Sequence, residues 1–411
     1  MSDIYIVGVA MTPFGRYLDR PIKDMTRSVV NDALADAGAE VADIEAAWFA
    51  NAAQAILEGQ GSIPGEIALR NMGIQEIPVT NVENACASAS TALDMAATWL
   101  EAGRGGVALA IGAEKMFHED RVKMFSVFDG GWDVHNVAAA TDRLLAMGQG
   151  VADPDGEEDT GQRSVFMDVY AALAKFHMKS FGTTQAQLAA VAAKNHAHSV
   201  HNPLSQYREA MTVGEVMASR KVSWPLTLPM CSPISDGAAG AILCREEELD
   251  RFDRSRAVKI HATALRTGSD RDPQEFDRHI THLAARDAYE RAGLGPDDMN
   301  VAEVHDATAF AEIQQVENLS FCDFGAGGAL TESGATSIGG RIPVNPSGGL
   351  ESRGHPVGAT GLAQVFELTT QLRGEAGARQ VADAQFAIAE NGGGFHGIEE
   401  AVACVTILGR D

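Results

Sequence analysis

The 411-residue chain is short of cysteine, of basic residues and of long apolar runs. Its five cysteines (Cys86, Cys231, Cys244, Cys322 and Cys404) are scattered without a CxxC pair. Neither a zinc cage nor a disulfide framework is therefore expected, and a reducing cytoplasm is the compartment that fits. Cys244 and Cys404 lie in apolar strand-like runs and read as core; Cys231, beside Ser232 and Pro233, reads as structural. Lys and Arg number 32 against 56 Asp and Glu, a formal net charge of −24. A phosphate backbone would be repelled, so nucleic-acid binding is not expected. No run of 18 uncharged apolar residues occurs, so no membrane-spanning helix is expected. The start, Met1 to Gly8, lacks a basic segment followed by a signal-like apolar stretch, and reads as a first strand. No G-x-G-x-x-G follows a strand in a βαβ setting and no ligand residues cluster, so no metal and no tightly bound cofactor is expected.

What is present is ordinary for a soluble globular protein: 45% apolar and 21% charged residues. The length can bury a large core and hold two or three domains. Strand-like apolar runs alternate with helical patterns, which predicts an α/β protein. One half spans about residues 1–250, including an excursion at about 117–206, and a second half runs from 256 to 411. The excursion carries the acidic tract Ala152 to Thr160, read as an exposed loop, and then a helical pattern from Val165 to Phe181.

Two segments carry reactive groups. Asn84-Ala-Cys86-Ala-Ser-Ala-Ser-Thr sets one cysteine among small residues just before an Ala-rich helical pattern from about Thr91 to Ala102. A thiol at a helix start feels unpaired amides and the positive end of the helix dipole, which favours thiolate; a lone cysteine also fits a small buried core position. Far downstream, Gly354-His355-Pro356 precedes the helical pattern Leu362 to Arg373, which stops at Gly374. After each helix come an apolar strand (Val107 to Ile111, and about Gln385 to Ala389) and a glycine turn, at Gly112 and at Glu390 to Gly394. The repeated order predicts an internal duplication whose copies face one another across a shared site.

On these segments, and on Ile4 to Gly15, Gly112 to Met116, Lys194 to Pro203, Ser235-Asp236-Gly237 and His305-Asp306-Ala307, the chain resembles the thiolase superfamily. The sterol-carrier-protein-type thiolases and their bacterial relatives are the nearest in pattern. The resemblance covers essentially the whole chain. It implies two duplicated βαβαβαββ-type halves in five αβαβα layers, with residues 117–206 as a loop domain over the substrate. It also implies Cys86 as nucleophile, His355 as its base and His305 in an oxyanion hole, with backbone amides near Cys86 and Gly393 helping. Asp306 is expected to orient loops. Arg220 and Lys221 are one candidate basic patch for coenzyme A, with solvated surface charge as the competing reading. Phe125, Phe128, Trp132, Phe166 and Tyr170 are candidates for a roomy pocket or for buried packing.

The departures concern the second cysteine, to which the family assigns removal of a proton beside the thioester carbonyl. Ala307 stands where one version of the family has it, and Glu390 where the other does. Glu390 is therefore a candidate second base if burial raises its pKa, a strand-end carboxylate in water being the competing reading. His396 is a further candidate, with surface placement as the default. Three functions follow from the resemblance. The first is an acyl-CoA C-acyltransferase making or cleaving a 3-oxoacyl-type carbon–carbon bond through acyl-Cys86. The second is a retro-aldolase on 3-hydroxyacyl-CoA with a zinc-ribbon and OB-fold partner of the DUF35 type. The third is a non-catalytic acyl-CoA or lipid-binding subunit. A homodimer or tetramer is the expected assembly.

Overall fold

The computed structural model describes residues 2–154, 156 and 164–410. Residues 155 and 157–160 of the acidic tract lie outside them. The first half runs β1 (Ile4–Met11), α1 (Ile22–Ala37), β2 (Ala46–Ala50), β3 (Val79–Val82), α2 (Ser88–Glu101) and β4 (Val107–Glu114). The excursion holds α3 (Val165–Phe181) and α4 (Gln185–Ser199), after which β5 (Gly237–Arg245) completes that half. The second half runs β6 (Val258–Thr267), α5 (Ile280–Ala292), β7 (Val301–Glu303), α6 (Ala309–Asn318), α7 (Thr360–Arg373), β8 (Phe386–His396) and β9 (Glu399–Gly409).

Strand order repeats. The first half reads β3-β2-β4-β5-β1, and the second reads β7-β8-β9-β6 with Val344 bridging Ala302 of β7 where a fifth strand would sit. In both, the strand after the central helix is parallel to its outer neighbour and antiparallel to its inner one. Three residue pairs join the halves edge to edge, Ile4 with Ile260, Tyr5 with Lys259 and Ile6 with Val258. Helix α1 packs on β1, β4 and β5; α5 packs on β6 and β9. Between the half-sheets lie α2 and α7, which touch each other and strands of both halves. The layers are thus α, β, α, β, α. Burial on both faces explains why β4 (VALAIGAE) is apolar almost throughout, without the alternation of a half-solvated strand. The middle position likewise explains why α2 is so rich in alanine: Ala89, Ala92, Ala96 and Ala97 are all buried. Gly374, in the left-handed region at φ 75°, ends α7 as the sequence predicts.

The two glycine turns predicted from the sequence are not turns. β4 runs on through Gly112 to Glu114, and β8 runs through Gly392 and Gly393 to His396. The glycines are there for room. A Cβ on Gly112 would lie 2.2 Å from the carbonyl oxygen of Gly358, three residues beyond His355. One on Gly393 would lie 2.4 Å from the carbonyl oxygen of Asn84, two residues before Cys86. Each half therefore presents a bare stretch of strand against which the other half's reactive loop lies.

The excursion is fastened to the second half by buried polar contacts. Lys194 of α4 reaches Glu312 of α6 at 2.7 Å and the Val344 carbonyl at 2.8 Å. Asn195 donates to Asp306, Glu312 and Glu351. Among the described residues no helix is long and apolar enough to cross a membrane.

Replacing Gly112 by Ala forces backbone against backbone. We expect a loss of about 1–3 kcal/mol, the range for overpacking a tight interior. Gly38→Ala is a poor control because of its positive φ; Gly214→Ala, with open space around the new methyl, should melt within a degree or two of the parent in a thermal scan.

Candidate active site

The chain enters α2 through a strained loop. Ala85 sits in the left-handed region at φ 49°, which costs a residue with a Cβ roughly 1–2 kcal/mol. Local hydrogen bonds hold it there. The Asn84 amide donates to Ser88 Oγ at 2.8 Å, Ser88 Oγ donates to the Ala85 carbonyl at 2.6 Å, and the Ala85 amide donates to Glu83 at 2.7 Å. Asn84 Nδ2 also reaches Thr91 Oγ1. The result turns the Cys86 side chain out of the helix start into a cavity of about 1690 Å³.

His355 comes from the other half. Its amide donates to Ser235 Oγ at 2.9 Å, and Glu114 of β4 accepts the amides of Gly358, Ala52 and Ala53 at 2.9, 2.9 and 3.1 Å. Thr360 Oγ1 gives its one proton to the Pro356 carbonyl at 3.0 Å and so must accept from His355 Nδ1, 2.7 Å away. That leaves Nε2 unprotonated, and Nε2 lies 3.3 Å from Cys86 Sγ. Burial pushes the His355 pKa well below its ordinary value, with the neighbouring His305 and Arg353 adding to the shift. The ring is neutral, in the tautomer that can take a proton from the thiol.

His305 lies at the same point. Its ring centroid is 5.2 Å from that of His355, and the reactive atoms of Cys86, His305 and His355 all fall within 4.8 Å of one another. Neither ring nitrogen of His305 has a protein partner, and burial lowers its pKa to about 4. His305 is therefore not a core histidine paired with the adjacent Asp306. Asp306 instead accepts from Asn195 and from the amides of Leu350 and Glu351, tying down the turn before His355. Gly393 lines the cavity beside the Cys86 loop.

Three expectations need correction. The helix start does not lower the Cys86 thiol. Burial, followed by the charges of Glu114, Glu83 and Glu400, pushes it up to about 12, and together these outweigh half a charge of helix dipole. Glu390 does not line the cavity: it is fully buried behind His305, whose amide it accepts at 3.0 Å. Burial raises its pKa to about 8. Lys221 is bound to Asp153 at 2.5 Å and does not line the cavity, whereas Arg220 does. The cationic lining that sequence reading missed comes from Arg16, Arg121 and Arg208, which are far apart in the chain and meet only in the fold. His396 is exposed. Of the five aromatic candidates, Phe125, Phe128, Phe166 and Tyr170 line the cavity; Trp132 stacks behind on Phe395, centroids 5.6 Å apart.

A twofold-repeated α/β frame, with a neutral cysteine–histidine pair and a second free histidine on the seam between its copies, defines a class of acyl-transferring enzyme. Comparison with known proteins gives the family. Thiolase, N-terminal domain, matches residues 4–222, and thiolase C-terminal domain-like matches residues 264–410. The chain belongs to the thiolase family, and it is an acyltransferase of that family. It is 39% identical over 412 residues, the full length of both chains, to an acetyl-CoA acetyltransferase of Methanothermobacter thermautotrophicus. It is 36% identical to sterol carrier protein 2 of Oryctolagus cuniculus, over 95% of this chain and 70% of that one. It is 30% identical to benzoylsuccinyl-CoA thiolase subunit BbsB of Thauera aromatica, over 92% and 91%. Among solved structures, the Ltp2-ChsH2(DUF35) aldolase superposes with a TM-score of 0.78 at 24% identity, covering 100% of this chain and 98% of that one. Acat5 thiolase of Ascaris suum in complex with coenzyme A superposes with a TM-score of 0.67 at 18% identity, over the whole of both chains.

The raised thiol has a measurable consequence. Below its pKa the thiolate fraction grows tenfold for each pH unit, so alkylation of Cys86 by iodoacetamide should climb steadily from about pH 7 to about pH 10. A plateau by about pH 7 would instead reveal a thiolate–imidazolium pair.

Proposed function

We propose that the protein is an acyl-CoA C-acyltransferase that makes or cleaves a 3-oxoacyl-type carbon–carbon bond through an acyl-Cys86 intermediate. The observation that carries this reading is the 3.3 Å contact between Cys86 Sγ and the unprotonated Nε2 of His355, facing a large cavity. As the sulfur attacks a thioester or ketone carbonyl, its proton passes to Nε2, so thiol and imidazole need carry charge only while the reaction proceeds. The developing oxyanion needs donors already aimed at it. His305, with an unpartnered ring N–H, and the backbone around Cys86 and Gly393 are placed to supply them. The arginines at the cavity mouth offer cationic contacts for the phosphates of coenzyme A. No metal enters this scheme: an ion held by Cys86, His305 and His355 would occupy the nucleophile.

A second reading, retro-aldol cleavage of a 3-hydroxyacyl-CoA, is favoured by one observation. Tyr170, Glu400 and His305 line the same cavity and could deprotonate a hydroxyl without help from sulfur. In either case the name of the Ltp2-ChsH2(DUF35) aldolase supports association with a DUF35-type partner, and that of subunit BbsB supports association with a partner subunit. A purely binding subunit would have no use for the paired thiol and imidazole.

Intact-mass measurement after incubation with acetyl-, octanoyl- and benzoyl-CoA should show one acyl adduct, absent in Cys86→Ala. His355→Ala should slow its formation by about 10²–10⁴, the usual contribution of a general base. Cleavage of a 3-hydroxyacyl-CoA that survives Cys86→Ala would favour the aldolase instead.

A further inference from the structure

Breaking or making a bond at the carbon next to a thioester requires a group that gives or takes a proton there; Ala307 lines the cavity but has no acidic proton, and the deeply buried Glu390 does not line it. The proton must therefore be handled by another acid in the cavity wall. Two buried carboxylates line it, Glu351 and Glu400. Glu351 belongs to a cluster with Asp306 and Glu312 around Asn195, and its charge is felt at Cys231 rather than at Cys86. Glu400 is different. It pairs across the β8–β9 ladder with Phe395, another lining residue, two positions beyond the Gly393 on which the Cys86 loop lies.

Its setting is built. Glu400 is the second residue of β9 and its side chain folds over Gly392: a Cβ there would sit 2.8 Å from Glu400 Cγ. The carboxyl group is steadied by two long contacts, Gln315 Nε2 to Oε1 and His279 Nε2 to Oε2, each at 3.5 Å. Both donors are themselves oriented. Asn318 Nδ2 lies 2.9 Å from Gln315 Oε1 and 3.2 Å from His279 Nδ1, and the Thr281 amide also donates to that nitrogen. His279 must then carry its proton on Nε2, facing Glu400. The next residue, Glu399, is fully engaged by Arg271 at 2.6 Å and by the amides of Ser269 and Ile280. So of two adjacent glutamates one is locked and one keeps lone pairs for the cavity. Burial and the charge of Glu399 lift Glu400 to about 7, which suits a group that must both accept and release a proton.

We infer that Glu400 is the second acid–base group of this site, exchanging the proton at the carbon next to the thioester carbonyl; this rests on the acyl-transfer reading above. In the cleavage direction Cys86 sulfur attacks the 3-keto carbon as its proton moves to His355. The bond between carbons 2 and 3 then breaks, its electron pair goes to carbon 2 as a thioester enolate, and Glu400 delivers its proton there. The new acyl-CoA departs. A coenzyme A thiol attacks acyl-Cys86, its proton passes to the Glu400 carboxylate, and His355 returns its proton to the leaving sulfur. Both groups end as they began. In the synthetic direction the carboxylate removes that proton and the enolate attacks acyl-Cys86.

Two readouts separate the steps: the acyl adduct on Cys86 by intact mass, and deuterium uptake from D₂O at carbon 2 of acetyl-CoA or octanoyl-CoA. Glu400→Gln should acquire the adduct within about threefold of the parent rate while exchange falls at least about 100-fold, and Glu400→Asp should recover part of the exchange. Glu400→Gln exchanging as fast as the parent would overturn the role. So would an equal loss of adduct and exchange that Glu400→Asp does not relieve, since that is the mark of a structural residue. A parent protein that forms no adduct would fell the acyl-transfer reading itself, and is told apart by its own measurement.

Discussion

The molecule rests on a reciprocal backbone contact between its two halves. The loop before Cys86 lies on the bare strand at Gly393, and the loop after His355 lies on the bare strand at Gly112. Neither reactive group is held by its own half alone. A third approach, Gly361 of α7 against the Ser90 amide and Asn391 Oδ1, brings the two central helices close enough for their N-terminal ends to meet. The 3.3 Å distance between sulfur and imidazole follows from packing that tolerates no extra atom, which is how a protein interior transmits position most faithfully.

Electrostatics complement the packing. Burial, reinforced by nearby carboxyl groups, keeps the thiol protonated, and desolvation keeps both histidines neutral. A resting ion pair is avoided, and no charge has to be desolvated before substrate arrives. Glu114, also lifted to about 7 by burial, spends its lone pairs on amides from both halves. Glu303 and the fully buried Arg353 form a 2.9 Å pair beneath the same loop. Among the buried acids near the seam, Glu114 and Glu303 thus hold the loop around His355, whereas Glu351 and Glu400 line the cavity.

Much of this was legible in the chain. The order of helix and strand on each side of Cys86 and His355 is strong local periodicity, and the duplication shows because both copies keep it. What could not be read was anything set by contacts distant in sequence. Gly112 and Gly393 look like turn residues, because a sequence does not show which backbone will press on them. Glu390 stands at the right place in the order of residues, yet of the two it is Glu400, ten positions on and across a hairpin, that lines the cavity. Lys221 is held by Asp153, distant in sequence, and Arg16, Arg121 and Arg208 converge from segments that share no motif. The sense of the thiol shift failed for the same reason: burial, its largest cause, and the approach of Glu114 and Glu400 arise only on folding.

The aromatic and cationic lining of the cavity comes largely from loops and from the excursion between β4 and β5, not from the repeated frame. Phe125, Phe128, Phe166 and Tyr170 belong to that insert, while Cys86, His305 and His355 belong to the frame. Reactivity and substrate fit are thereby written in separate stretches of chain. Lineages can reshape the chamber, to admit a longer or bulkier acyl tail, by editing one insert while the reacting trio keeps its spacing.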